Sequence, residues 1–248
     1  MTTTGARREL ERPAFYALRP GGWRDLVTLL HPPFTGWHLS YVAFGAAAAP
    51  TLHGGRLAAT LAAFFCGVGL CAHALDELQG RPLGTRLSDR ALIAIAVLSL
   101  SAALGLGILG VATVSWSILP FIAAGSFIVV AYNLELFGGR FHTDFWFAAA
   151  WGAFPALTSY WANALSIGAS GLLVMLACFW LSVGQRRLST PVRTLRRKTA
   201  SVRGTQELSD GTTIELSANR LAEPLDGALR ALALALVLLA AGVVAVRL

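Results

Sequence analysis

The chain is a succession of apolar runs, most of them close to 20 residues long, separated by short charged or turn-forming segments. A helix of about 20 residues crosses about 30 Å of hydrocarbon. Inside hydrocarbon only helices and closed barrels satisfy their own backbone groups, and no strand-like alternation competes with the helical reading here. The expected fold is therefore all-α, a polytopic transmembrane helical bundle of about seven spans. These fall at residues 34–50, 56–75, 92–111, 115–132, 145–161, 167–183 and 228–246. The first and fifth are short for a crossing, which implies a kink or partial cover by protein.

Only 13% of the 248 residues are charged, against about a quarter in a soluble domain. The formal charge of +7 would raise nucleic acid as a partner in a soluble protein, but no basic stretch here carries interleaved aromatic residues for base stacking. Of the 20 Lys and Arg, all but Arg56 and Arg247 lie in alternate loops. That asymmetry orients the bundle with the N-terminus cytoplasmic and the C-terminus on the opposite side. Cys66, Cys71 and Cys178 sit singly inside apolar runs and read as buried thiols, with neither a disulfide framework nor a zinc site. The opening MTTTGARRELERP lacks the apolar core of a cleavable signal peptide.

Four regions follow. Residues 1–33 form a cytoplasmic tail and an interfacial helix, with Trp23, Leu26, Val27 and Leu30 on one face ahead of Pro32-Pro33. Residues 34–184 form a six-span membrane core. Residues 185–226 form a basic loop, QRRLSTPVRTLRRK, followed by a small hairpin around Asp210-Gly211. Residues 227–248 form the seventh helix.

Chemistry is expected where two spans end in polar seams. His73, Asp76 and Glu77, at spacing i, i+3, i+4, share a helix face at the water boundary. Two carboxylates there suit a magnesium ion that also touches a substrate phosphate, and His73 is a third candidate ligand. The plainer alternative is that they mark where the helix meets water. Arg81 follows as a phosphate contact. In the second seam, AYNLELFGGRFHTD, Tyr132 and Asn133 are candidates for the bundle interior, Arg140 is a further basic group, and Thr143 or Asp144 reads as the helix cap. Of the basic run Arg186 to Lys198, read mainly as attraction to anionic lipid, Arg186 and Arg187 lie nearest the membrane and are the candidates for a diphosphate clamp. His38 and His53 read as structural.

Three features together resemble the UbiA superfamily of intramembrane prenyltransferases. These are an interfacial helix running into LLHPPFTGW, an acidic motif ending the second span and continuing into GRPLGTRLS, and a fourth span ending AYNLELFGGR before WFAAAWGAFPAL. The resemblance covers residues 26–180. It implies an all-helical, UbiA-like bundle that binds an isoprenyl diphosphate through magnesium held by two aspartate-rich motifs and transfers the prenyl group to a lipophilic acceptor. The first motif, Asn-Asp-x-x-Asp-x-x-x-Asp, falls on Ala72, His73, Asp76 and Gly80, so only Asp76 keeps its carboxylate. The second should follow the sixth span, yet no acidic residue occurs between Asp144 and Glu207. The spans are also two short of the family's nine.

The function implied is a divergent prenyltransferase. Asp76, Glu77 and His73 would hold Mg2+, Arg81, Arg140, Arg186 and Arg187 would attend the phosphates, and Tyr132 and Asn133 would line the acceptor or carbocation side. The alternative is a non-catalytic membrane protein that binds a phosphorylated lipid or assists assembly, and a transporter is a weaker third reading.

Overall fold

The computed structural model describes residues 12–248. Of the expected N-terminal tail, residues 1–11, with Arg7 and Arg8, lie outside the described residues. The rest of it packs against the body: Ala14 and Ala17 are buried beside Leu83.

Helix α1 (Trp23–Leu29) turns Asp25 and Thr28 inward. Asp25 accepts hydrogen bonds from the backbone N–H of Gly21 and of Arg86, while Thr28 accepts one from Leu18. Trp23 and Leu26 are left outward. Helix α2 (Pro32–Ala48) starts with Pro32-Pro33, where missing N–H groups cost nothing, and His31 precedes it in the left-handed region. With only 17 residues it is short for a crossing, and most of it is buried by neighbouring helices.

Among the described residues, five helices are long and apolar enough to cross a membrane. They are α3 (Gly54–Leu78), α4 (Asp89–Thr113), α5 (Trp116–Asn133), α8 (Ala169–Arg197) and α9 (Ala218–Arg247). Between α5 and α8 lie a short turn, α6 (Leu136–Gly139), and helix α7, residues 144–164. Hydroxyls cap the helices where the sequence supplies them: Ser88 for α4, Thr143 for α7 and Ser217 for α9. Leu98, Leu173 and Leu238, on α4, α8 and α9, face outward as hydrocarbon requires. The two late helices reach beyond their expected limits. α8 continues unbroken through the basic segment read as a loop, and α9 begins ten residues early at Ala218. A hydrophilic helix emerging from a membrane span keeps its i→i−4 bonds, so polarity alone does not end it. A two-stranded antiparallel hairpin, β1 (Thr205–Glu207) and β2 (Thr213–Glu215), joins them. Gly211 supplies the positive φ at its turn, and the Thr212 N–H holds the Asp210 carboxyl below its usual range.

Two of the helices contain π-helical turns: Phe65–Ala72 in α3 and Ala149–Ala153 in α7. The core has two halves. Val68, Cys71, Leu92, Val129 and Trp151 join α3, α4, α5 and α7; Trp37, Tyr41, Ala156, Cys178 and Leu229 join α2, α7, α8 and α9. The two arginines expected away from the basic loops close helix ends. Arg56 donates to the carbonyls of Ala162 and Asn163 at the end of α7, and Arg247 donates to those of Ala49 and Pro50 after α2. These last-turn carbonyls have no intrahelical donor.

Helix α2 meets α7 at backbone contact, because a Cβ on Gly45 would stand 2.0 Å from the carbonyl oxygen of Ala156. Small residues at such crossings let dispersion act between helices that lipid does not push together. Gly45→Ala is therefore expected to cost at least about 1–3 kcal/mol, read as a lowered thermal midpoint in detergent. Gly242→Ala, where a Cβ meets nothing within 4 Å, leaves the midpoint in place; equal midpoints for the two variants would show that the crossing is not so close.

Candidate functional site

α3 leads away from Arg56 and ends at the opposite end of the bundle. Its π-helical turn stops at Ala72, and a single turn and a half, His73–Leu78, presents the acidic seam. There α3, α5 and α8 end around a cavity of about 420 Å³, with residues 13–16 of the N-terminal segment over it. His73, Asp76, Tyr132, Asn133 and Arg186 all line this cavity. Five of the nine sequence candidates thus meet in one place.

The other four do not. Glu77 is completely buried and engaged: Oε1 accepts from the Thr85 N–H at 2.8 Å and its hydroxyl at 2.9 Å, and Oε2 accepts from the Leu83 N–H at 2.9 Å. Its neighbour Asp76 is on the cavity side because one residue along a helix is about 100° around the axis. Arg81, at positive φ, pairs with Asp89 and donates to the Leu87 carbonyl, bracing the same loop. Arg140 and Arg187 are exposed and away from the cavity.

Each group that does converge is held in a definite way. The His73 Nδ1–H donates to Gly69 O at 3.1 Å, and its ring stacks on His31 with centroids 3.9 Å apart. Tyr132 stacks on His142 at 4.5 Å, and its hydroxyl is buried without a hydrogen-bond partner among the described residues. Asn133 donates from Nδ2 to Val129 O at 2.7 Å, leaving its oxygen uncommitted. Arg186 pairs with the exposed Asp144 at 2.7 Å and lies over the Phe147 ring. The Asp76 carboxylate makes no hydrogen bond or ion pair within the described residues.

Several lining groups were not singled out for the site by sequence reasoning. The Tyr16 hydroxyl and His31 Nδ1 share a hydrogen bond at 2.9 Å. Burial pushes that hydroxyl up, and burial followed by His73 holds His31 well below the ordinary imidazole range, so both stay neutral at physiological pH. His38, read as structural, bonds Trp151 O at 2.8 Å and also lines the wall. Arg193 and Arg197 line it as well. A signal for these two was available: they stand seven and eleven residues after Arg186, a helical repeat that becomes visible once α8 is continued past residue 183.

No protein-family model, curated protein or solved structure matches the chain. The site is therefore read from its own chemistry.

The donor set does not fit the expected magnesium centre. Glu77 is committed to the 83–85 loop, His73 lines the cavity with its Nδ1 bonded to Gly69 O and its ring stacked on His31, and Asp76 is the one carboxylate of the set that opens on the cavity. Among the described residues no group of three or more His, Cys, Asp or Glu side chains is placed to hold a metal ion. The arrangement favours an anion instead, since guanidinium groups oppose few carboxylates.

A second cavity, of about 340 Å³, lies among α3, α4, α5 and α7 and is lined almost wholly by apolar residues. Val68 and Trp151 line both cavities. They form the partition between a polar chamber and an apolar one.

Because Glu77 accepts three hydrogen bonds in a buried setting, Glu77→Gln is expected to cost about 1.5–3 kcal/mol and to open residues 79–88 to protease. Asp76→Asn, which removes no hydrogen bond, leaves both readouts near wild type. Indistinguishable proteolysis of the two variants would deny Glu77 its loop-holding role.

Proposed function

We propose that the chain is a UbiA-like integral membrane protein that binds an isoprenyl diphosphate, its charged head in the polar chamber and its hydrocarbon tail in the apolar one. The observation that carries this reading is the pair of adjoining cavities with Val68 and Trp151 between them. A polar, arginine-lined chamber alone would suit any small anion, and an apolar groove alone would suit any lipid chain. Their contact suits an amphiphile with an anionic head. In this reading α2 and the broken α7 join the five long helices as spans, giving seven, with the N-terminus and the arginine chamber on the cytoplasmic side.

The chemistry that fits is prenyl transfer. The C–O bond of the allylic diphosphate breaks, its electron pair leaving with the diphosphate, whose growing charge the arginines offset. The faces of Tyr132 and Trp151, edge to face at 5.5 Å, stabilise the allylic cation that forms beside them. The nucleophilic atom of a lipophilic acceptor then bonds to the cation and sheds a proton, which the uncommitted carboxylate of Asp76 accepts. A second reading, a non-catalytic lipid carrier or assembly factor, is favoured by one fact: only one of the carboxylates expected to assist ionisation opens on the chamber.

Equilibrium binding to purified protein in lipid nanodiscs separates these readings. Farnesyl diphosphate is expected to bind at least tenfold more tightly than either inorganic pyrophosphate or farnesol, and Val68→Trp, which narrows the partition, removes that advantage. No advantage over both single-ended probes would sink the two-chamber reading. Release of inorganic pyrophosphate on addition of a phenolic or other lipophilic acceptor, lost in Asp76→Asn, marks the enzyme; binding without release marks the carrier.

A further inference from the structure

The arginines of α8 carry the reading further. Arg186, Arg193 and Arg197 stand at i, i+7 and i+11, within about 20° of one line along the helix, and all three line the polar cavity. Arg186 is neutralised by Asp144. Arg193 and Arg197 have no carboxylate partner among the described residues: Arg193 Nη2 donates to the Thr190 hydroxyl at 3.2 Å, and Arg197 Nε donates to the Pro13 carbonyl at 3.2 Å. Each guanidinium keeps further N–H groups uncommitted.

Two such cations one helical turn apart repel each other, and like charges at this spacing destabilise a helix. Partial burial sharpens the repulsion, because a cation removed from water seeks a partner. Of the carboxylates lining the chamber, Asp226 is already paired with Arg196 at 2.5 Å, and Glu135 lies near His142. Glu135 is exposed and screened by solvent, so Asp76 is the one unpaired acid inside the chamber, facing two guanidinium groups that lack a carboxylate partner among the described residues, and the balance calls for an added anion. Planar guanidinium forks match the oxygens of a phosphate in a bidentate manner, which a point-charge ammonium does not.

We propose that the chamber holds a diphosphate group directly between Arg193 and Arg197, with Arg186 on the membrane side, and without a bridging metal ion. This rests on the reading of the chamber as the head-group site and replaces the expected magnesium with charge supplied by the protein. The shared chemistry is the diphosphate itself, whether free or at the head of a lipid. Guanidinium groups one turn apart let each phosphoryl unit take its own fork. The carbonyl of Pro13 on Arg197 Nε fixes that fork's edge and places residues 13–16 over the bound head.

The test is equilibrium binding of inorganic pyrophosphate and of farnesyl diphosphate to the full chain in nanodiscs, with excess EDTA and with millimolar magnesium. Pyrophosphate is expected to bind in EDTA about as well as in magnesium. Arg193→Gln weakens it about tenfold or more, the loss of a hydrogen-bonded charge, and Arg193→Lys recovers only part. Arg187→Gln removes the same charge from an exposed position outside the cavity lining and leaves binding unchanged. Circular dichroism and thermal midpoints identify any variant that fails to fold, and Arg197→Gln then serves as the independent second variant. Binding that disappears in EDTA, or that falls equally in Arg187→Gln and Arg193→Gln, overturns the clamp. The two readings fail differently. Farnesyl diphosphate that binds only with magnesium and ignores Arg193→Gln removes the clamp but keeps the two-chamber lipid site. Pyrophosphate that binds in EDTA through Arg193, with no gain from the farnesyl tail, keeps the clamp and removes the lipid.

Discussion

Hydrocarbon offers no hydrogen bonds, so each polar backbone group within it must find a partner inside the chain. Most of what distinguishes this bundle follows from that requirement. Arg56 and Arg247 close the carbonyl ends of two helices that are not their own. Glu77 gathers the N–H groups of a loop that has no ladder to join. The π-helical turns are a third instance, because such a turn displaces the regular bonding and frees a carbonyl. In α3 the carbonyl of Gly69 receives His73, and in α7 that of Trp151 receives His38. Both histidines line the polar cavity, so the repair of two irregular turns also builds the chamber wall.

Apart from Arg56 and Arg247, the bundle keeps its charges at one end. Carboxylates and guanidinium groups from α3, α8 and α9 meet where the helices leave their apolar stretches, while the middle of the molecule holds an apolar cavity and close backbone crossings such as that at Gly45. A ligand spanning both regions would meet strong fields at its head and dispersion alone along its tail. Segregation of this kind selects by amphipathic shape before any single contact is made.

Sequence periodicity and hydropathy made the helical architecture legible, because apolar runs near 20 residues leave little else to form. They were less informative about ends. The basic stretch after residue 183 looked like a loop since charge signals water, yet charge does not break a helix, and α8 runs on to Arg197. That one error hid Arg193 and Arg197 while promoting Arg187, which the continued helix turns outward. Asp76 and Glu77 were indistinguishable as neighbours in sequence; a rotation of about 100° sends one to the cavity and the other to a loop that no local pattern announces. His31 and Tyr16 enter the site only because the N-terminal segment folds back over it, a long-range placement without a periodic signature. The convergence of His73, Tyr132, Asn133 and Arg186 was anticipated from the position of each at the same end of a span.

The π-helical turns have a geometrical consequence. In a straight α-helix, the angular phase that suits packing at one end fixes which residues face inward at the other. A turn with i→i+5 bonding resets that phase. Gly54–Phe64 can be oriented by the apolar neighbours of α3 while His73–Leu78 is oriented by the chamber, and α7 is likewise divided at Ala149–Ala153. Deleting one residue from either irregular turn would restore ordinary winding and swing everything beyond it by about 100°, carrying Asp76 off the chamber without altering its chemistry. The register of the bundle and the register of the site are thus two separate quantities in this chain, joined at Val68 and Trp151.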